Sequence, residues 1–304
     1  MASPAGRMRD LTPGLTTKAA ARVAVIVRLD AVIERLRSAV RHPDGDPELV
    51  HQLRTSCRRA GATLDAFAPC LDQKAVAKAT KHLKRLRRAA GLARDLDVQD
   101  ALWRRLGDAD PGVDRAVGVM LARSRARREA ARGELKRARA ECRPRRLREI
   151  RDRLVESAHH ARPEEGDVGP LGPFAQKQLG GVAAELADQI RARPATHEAL
   201  HAARIQAKQL RYTVEIFRHC LEPDAARALL DDLEALHDGM GDHHDLVVAK
   251  RLLDEAAIGP GEDVLGPLTV LVEARLAAAG RVAIALLDRF AADWLTAAAS
   301  PLAA

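Results

Sequence analysis

Two segments of this 304-residue chain place cationic side chains at the same helical spacing. In the first, His51, Arg54 and Arg58 stand at i, i+3 and i+7. In the second, His201, Arg204 and Lys208 repeat that pattern, and Arg211 follows one turn on. On a helix such residues project from one face. Like charges three or four positions apart repel each other by about 0.2–0.5 kcal/mol per pair. Stacking them twice, at matched positions, calls for an anion that offsets the repulsion. The residue types point to phosphate oxygens. Guanidinium groups grip them in bidentate fashion, ammonium acts as a point charge, and imidazolium adds a donor that pH can switch. Lys81, Lys84 and Arg88 extend the basic character of the first segment, whereas the second carries Asp231, Asp232, Glu234 and Asp238 in the corresponding region. The basic extension is therefore one-sided.

Other chemistry is poorly supported. His197-Glu198-Ala199-Leu200-His201 spells HExxH, which on a helix can hold zinc with Glu as general base. The matching stretch of the first segment is Pro47-Glu48-Leu49-Val50-His51, so the first histidine is missing where the rest agrees. Glu48 and Glu198 are explained by the positive end of a helix dipole. Arg204 and Lys208 on the adjoining turns would repel a cation. No P-loop, GxSxG or GxGxxG motif occurs. The reading is a binding protein with no catalytic residues, no metal and no cofactor.

The elements that position these residues come in two copies. Shifting the sequence by 150 aligns positions 46–102 with the second half without a gap and gives 15 identities over 57 positions, including His51/His201, Arg54/Arg204, Phe67/Phe217, Cys70/Cys220, Gly91/Gly241 and Asp95/Asp245. Each copy reads as a run of amphipathic helices. The first covers Lys18 to Arg41. The second starts at an N-cap, Asp46 or Thr196, with a buried stripe of Val50, Leu53, Cys57, Ala60, Leu64 and Phe67 or of Leu200, Ala203, Ala207, Leu210, Val214 and Phe217. A third spans Asp72 to Ala90 or Asp224 to Met240, with Gly91 and Gly241 as C-caps and a fourth helix after Asp95 or Asp245. Long last helices are expected over 112–156 and 264–297. The fold class is all-α: two pseudo-symmetric bundles of about four main helices each. The expected boundaries are a disordered tail over 1–14, a first bundle over 15–156, a linker over 157–173 and a second bundle over 174–297.

Composition narrows the ligand. Residues 1–150 hold 34 Lys+Arg against 18 Asp+Glu, or +16; the remainder holds 16 against 24, or −8. The basic half suits a polyanion. Aromatics make up only 2% of the chain, too few for a surface that stacks single-stranded bases, and most sit at core spacings. The four cysteines form no CxxC and read as small buried hydrophobes. No apolar run approaches a membrane span, and the N-terminus lacks a signal-like core, so a cytoplasmic protein is expected.

The two His-xx-Arg-xxx-(Arg/Lys) helices, the stretch Arg94-Asp95-Leu96-Asp97-Val98, and Lys208-Gln209-Leu210-Arg211-Tyr212-Thr213-Val214-Glu215 together resemble the CHAD family, the conserved-histidine α-helical domains. The resemblance covers about residues 15–297. It implies two four-helix bundles around a basic groove that binds inorganic polyphosphate, and association with polyphosphate granules. By motif, the ligand-facing residues it implies are His51, Arg54, Arg58, His201, Arg204, Lys208 and Arg211. The ExExK strand motif of the triphosphate tunnel domains often fused to this family is missing, so hydrolysis is not implied. The competing reading is a nucleic-acid binder using the Arg-rich helix over 123–148.

Overall fold

In a computed structural model that describes residues 8–41, 47–160, 169–258 and 262–295, every described regular element is helical, and the β-pairing among the described residues is an isolated bridge between Thr16 and Pro170. In chain order the α-helices are α1 Thr17–Arg41, α2 Pro47–Ala66, α3 Gln73–Ala109, α4 Asp114–Glu141, α5 Pro144–His160, α6 Leu171–Arg191, α7 His197–Phe217, α8 Pro223–Ala256 and α9 Glu262–Phe290. Helices α2 and α7 are each followed by a 3-10 turn, Ala68–Cys70 one residue after α2 and Arg218–Cys220 directly after α7, and the two turns stand 150 residues apart.

The expected stripes face inward. Leu53, Cys57, Ala60 and Leu64 on α2 and Phe67 just beyond it are buried and Val50 is half-buried, while all six residues of the α7 stripe are buried. Thr196 caps α7 by accepting a hydrogen bond from the Ala199 amide at 3.2 Å. The other expected cap, Asp46, lies outside the described residues. Asp72 caps α3 in the same manner, accepting from the Ala75 amide at 2.6 Å. Cys57, Cys70 and Cys142 are buried, and the four cysteines are free thiols.

Two boundaries differ from expectation. Gly91 and Gly241 do not end their helices; α3 and α8 pass straight through them for 37 and 34 residues. The long helix expected over 112–156 is broken near Cys142, where Pro144 removes a backbone donor and starts α5. The chain termini and connections also depart in detail. Met8 and Leu11, assigned to the tail, are buried. Helix α5 runs to His160 and α6 starts at Leu171, so the connection is shorter than 157–173. Residues 1–7, 161–168 and 296–297 of the expected segments lie outside the described residues.

Each core draws on both halves. In one, Phe67 stacks on Phe174 at 5.7 Å between centroids, and Phe217 meets both edge-on at 5.5 and 6.1 Å. In the other, Trp103, Leu106 and Met120 pack with Leu246, Leu253 and Leu268 where the far ends of α3 and α8 meet α4 and α9. The near ends are tied by backbone. The Leu171 amide donates to the Leu15 carbonyl at 2.8 Å, and the Gly172 amide to the Pro13 carbonyl at 2.9 Å. Between them, Arg59 on α2 forms a two-pronged pair with Glu215 on α7, Nε to Oε2 at 2.7 Å and an Nη2 contact to Oε1 at 3.1 Å. Helices α2 and α7 thus lie side by side at the centre of the molecule, flanked by α3 and α8.

Breaking that clamp strands a half-buried guanidinium, so Glu215→Gln is expected to lower unfolding free energy by about 1–3 kcal/mol in urea titration. The exposed pair Arg145–Glu149 serves as control, and Glu149→Gln is expected to cost less than about 0.5 kcal/mol.

Candidate functional site

The cations of α2 and α7 converge. Lys208, at 8% exposure, is a buried lysine, and its ammonium is depressed to about 6 by burial first and then by Arg204, Arg58, Arg54 and Arg211. Those groups come from both helices, so the two basic faces share one space. Burial likewise lowers Arg204, with Asp245 opposing and Arg58 and Arg54 adding to the effect. Among the described residues no carboxylate lies within ion-pairing distance of Arg58, Arg204, Lys208 or Arg211. Arg54 is the partial exception, with an Nη2–Asp95 Oδ1 separation of 3.5 Å to a largely exposed carboxylate. The Nε atoms of Arg204 and Arg211 are buried without a hydrogen-bond partner. Buried donors and mutual repulsion together describe a site in want of acceptor oxygens.

Gly91 and Gly241 belong to this site. A side chain at Gly91 would collide with the Arg54 guanidinium, which lies across α3 at that point. At Gly241 the nearest atom is Arg204 Nη2, 3.9 Å from where a Cβ would stand. The paired glycines, misread as helix ends, mark where each arginine crosses the neighbouring helix. A glycine in mid-helix costs about 1 kcal/mol relative to alanine, so its use at 91 reflects close approach, whereas at 241 there is room for a methyl group.

The histidines sit at the rims. His51 is lowered by burial, then by Arg94, with Glu48 opposing and Arg54 and Arg58 reinforcing. His201 is lowered by burial, Arg204 and Lys208, and its ring stacks on His244 at 4.8 Å. His197 and His243 approach through Nδ1 and Nε2 at 3.3 Å. With Arg204, the imidazoles of His197, His201, His243 and His244 line a cleft. Among the described residues no group of three or more His, Cys, Asp or Glu is placed to hold a metal ion.

Of the extension residues, Lys84 reaches the cluster's margin, where it and Arg87 act on Asp65 of α2. Lys81 lies nearer His82, Arg85 and Arg146, toward α5, and Arg88 is exposed. Residues outside the expected set also belong here. His237 is pushed down to about 3 by burial and by Lys208, Arg204, Arg211 and Arg58, and His244 to about 4 by burial, Arg204, His201, Lys208 and His243. Arg87 and Arg94 act on Arg54 from α3. The signal for these was available: 87/237 and 94/244 are matched positions one turn to either side of Gly91 and Gly241.

The Arg-rich region 123–148 differs in kind. Arg128 grips Asp97 and Asp100 at 2.6 Å each, Arg127 pairs with Glu255, and Arg132, Arg137 and Arg145 pair along their own helices. Five of its twelve Lys and Arg residues thus already hold a carboxylate.

A family model described as CHAD domain matches residues 26–254. Among solved structures, the crystal structure of the CHAD domain from the plant Ricinus communis superposes with a TM-score of 0.70 at 26% identity, covering 93% of this chain and 92% of that one. PptA from Streptomyces chartreusis superposes with a TM-score of 0.66 at 18% identity, covering 90% of this chain and all of that one, a likeness of fold. No curated protein matches the chain.

The two glycines separate under substitution. Gly241→Ala is expected to stabilise by up to about 1 kcal/mol in urea unfolding through helix propensity. Gly91→Ala is expected to gain less, because it forces Arg54 off Asp95; equal gains would show that Arg54 is not seated on α3.

Proposed function

Because the chain belongs to the CHAD-domain family, we propose that it binds inorganic polyphosphate in the groove between α2 and α7, as a binding protein rather than an enzyme, and that it associates through this groove with polyphosphate granules. The observation that carries the reading is the buried convergence of Arg54, Arg58, Arg204, Lys208 and Arg211 with almost no carboxylate to neutralise it. A linear phosphate polymer supplies closely spaced anionic oxygens and presents no base to stack. This chain offers guanidinium and ammonium donors, while Phe67, Phe174, Phe217, Phe290, Trp103 and Tyr212 are buried in the core. Nucleic acid remains the comparison ligand, since the 123–148 region of α4 and α5 keeps arginines with no ion pair among the described residues.

The electrostatics give the pH dependence a sign. In the free protein the Lys208, His237 and His244 pKa values lie below their unfolded values, at about 6, about 3 and about 4. Between pH 6 and the ordinary lysine range the unfolded chain holds a proton that folded Lys208 does not, so free-protein stability rises with pH there. For His237 and His244 the same holds between their folded values and the ordinary histidine range, and stability falls as pH drops through that window. Bound phosphate favours the charged forms, so binding takes up protons and affinity rises as pH falls.

Three measurements follow. Long-chain polyphosphate and single- and double-stranded DNA are titrated at about 150 mM salt; polyphosphate is expected to bind tighter, and equal or tighter DNA binding overturns the choice. Replacing Arg54, Arg58, Arg204 and Lys208 together with Ala is expected to weaken polyphosphate binding by at least about a hundredfold, whereas a site on the Arg-rich helix would lose little. Lys208→Met is expected to weaken binding while leaving the free protein at least as stable at pH 8 by thermal melting; a loss of both would assign Lys208 a structural role.

A further inference from the structure

The floor of the groove is nearly symmetric, but its two walls are not. Helices α3 and α8 flank α2 and α7, and matched positions along them differ in charge. Along α3, on the surface turned away from the core, Lys81, Lys84, Arg87 and Arg88 are exposed, and half-buried Arg94 and exposed Asp95 follow. The same positions 150 residues on are Asp231, Glu234, His237, Asp238, His244 and Asp245 on α8. Five cations and Asp95 along α3 thus correspond to two imidazoles and the carboxylates Asp231, Glu234, Asp238 and Asp245 along α8.

The exposure pattern agrees at the outer positions: Lys81, Lys84 and Arg88 are exposed, and so are Asp231, Glu234 and Asp238. Among the described residues, Lys81, Lys84, Arg87, Arg88 and Arg94 form no ion pair, and neither do Asp231 and Glu234; Asp238 meets His237. The charges on neither wall are used to hold the fold together. Helix α8 spends its neighbouring acid differently, since Asp232 accepts from Trp294 Nε1 at 2.7 Å. The outer strips are therefore available to act on whatever enters the groove.

We infer that the bound polymer leaves the groove over the first half alone, with Lys81, Lys84 and Arg88 of α3 as a track for its outer phosphates and Asp231, Glu234 and Asp238 of α8 as a barrier. This rests on the polyphosphate reading and adds a direction to it. A polyanion held at the central cluster meets attraction along α3 and like-charge repulsion along α8. The wall nearest the cluster on the α8 side, His237 and His244, adds no fixed charge at neutral pH to oppose the barrier. Phosphates beyond the few that fill the cluster gain contacts in one direction only. The site would thus favour the terminal stretch of a long chain over its middle, because a chain running through in both directions must cross the acidic strip.

The test compares tripolyphosphate, short enough to occupy the cluster alone, with long-chain polyphosphate, on the full chain. Wild type is expected to bind the long chain more tightly. Replacing Lys81, Lys84 and Arg88 together with Ala is expected to lower long-chain affinity by about tenfold and tripolyphosphate affinity by less than about twofold. Replacing Asp231, Glu234 and Asp238 together with Lys is expected to raise long-chain affinity by about tenfold and leave tripolyphosphate nearly unchanged. Retained tripolyphosphate binding in each variant certifies the fold. Unchanged long-chain affinity in the first variant, or no gain in the second, overturns the one-sided exit while leaving the central site standing. Failure of wild type to bind either ligand overturns the polyphosphate reading and this inference with it.

Discussion

Repulsion among Arg54, Arg58, Arg204 and Lys208 is the constraint around which the rest of the molecule is arranged. Two helices that met only at this face would separate, and their contact is held by neighbouring features of the same helices. Phe67 and Phe217 lock the C-terminal ends of α2 and α7 into a shared aromatic core with Phe174. Arg59 and Glu215 bridge the two helices directly. The backbone strap at residues 13–17 and 169–172 and the second core at the far ends of α3 and α8 close the remaining gaps. The scaffold opposes the repulsion from several sides, and the cationic faces stay within reach of one another.

That arrangement places stability and function in opposition. A buried lysine whose ammonium is depressed to about 6 is a cost to the free fold, as are guanidinium nitrogens with no acceptor. Such costs concentrate at sites whose ligand completes them. The contrast with Arg128, which holds Asp97 and Asp100, is informative: where an arginine serves the fold, carboxylates stand beside it. Where arginines and a lysine gather without carboxylates, the proposed function assigns the missing partner to an external anion. The proposal that this anion is polyphosphate rests on that physical reading together with the CHAD-domain membership.

Much of this was legible from the residues. The period of the apolar stripes located α2 and α7, and the shift of 150 paired their cations before any coordinates. What escaped had physical causes. Glycine signals a helix end by default, and only the crossing of Arg54 over Gly91 reveals that it marks close approach within a continuous helix. His237 and His244 stood among acidic neighbours on α8, so local composition hid them; their place beside Lys208 and Arg204 depends on which face of α8 turns inward. Arg87 and Arg94 were diluted among many basic residues of the first half. Conversely, Lys81 and Arg88 were grouped with the cluster because they are basic, although helical geometry turns them to the outer side. The sharing of each core between halves was invisible to periodicity, which reports that a face is buried but not against what.

The most direct test is a crystal structure of the chain with polyphosphate soaked in. The account predicts a string of phosphate density between α2 and α7, with oxygens within hydrogen-bonding distance of Arg54, Arg58, Arg204 and Lys208. A phosphate chain ordered along the Arg-rich region 123–148, with the α2–α7 groove left empty, would contradict it.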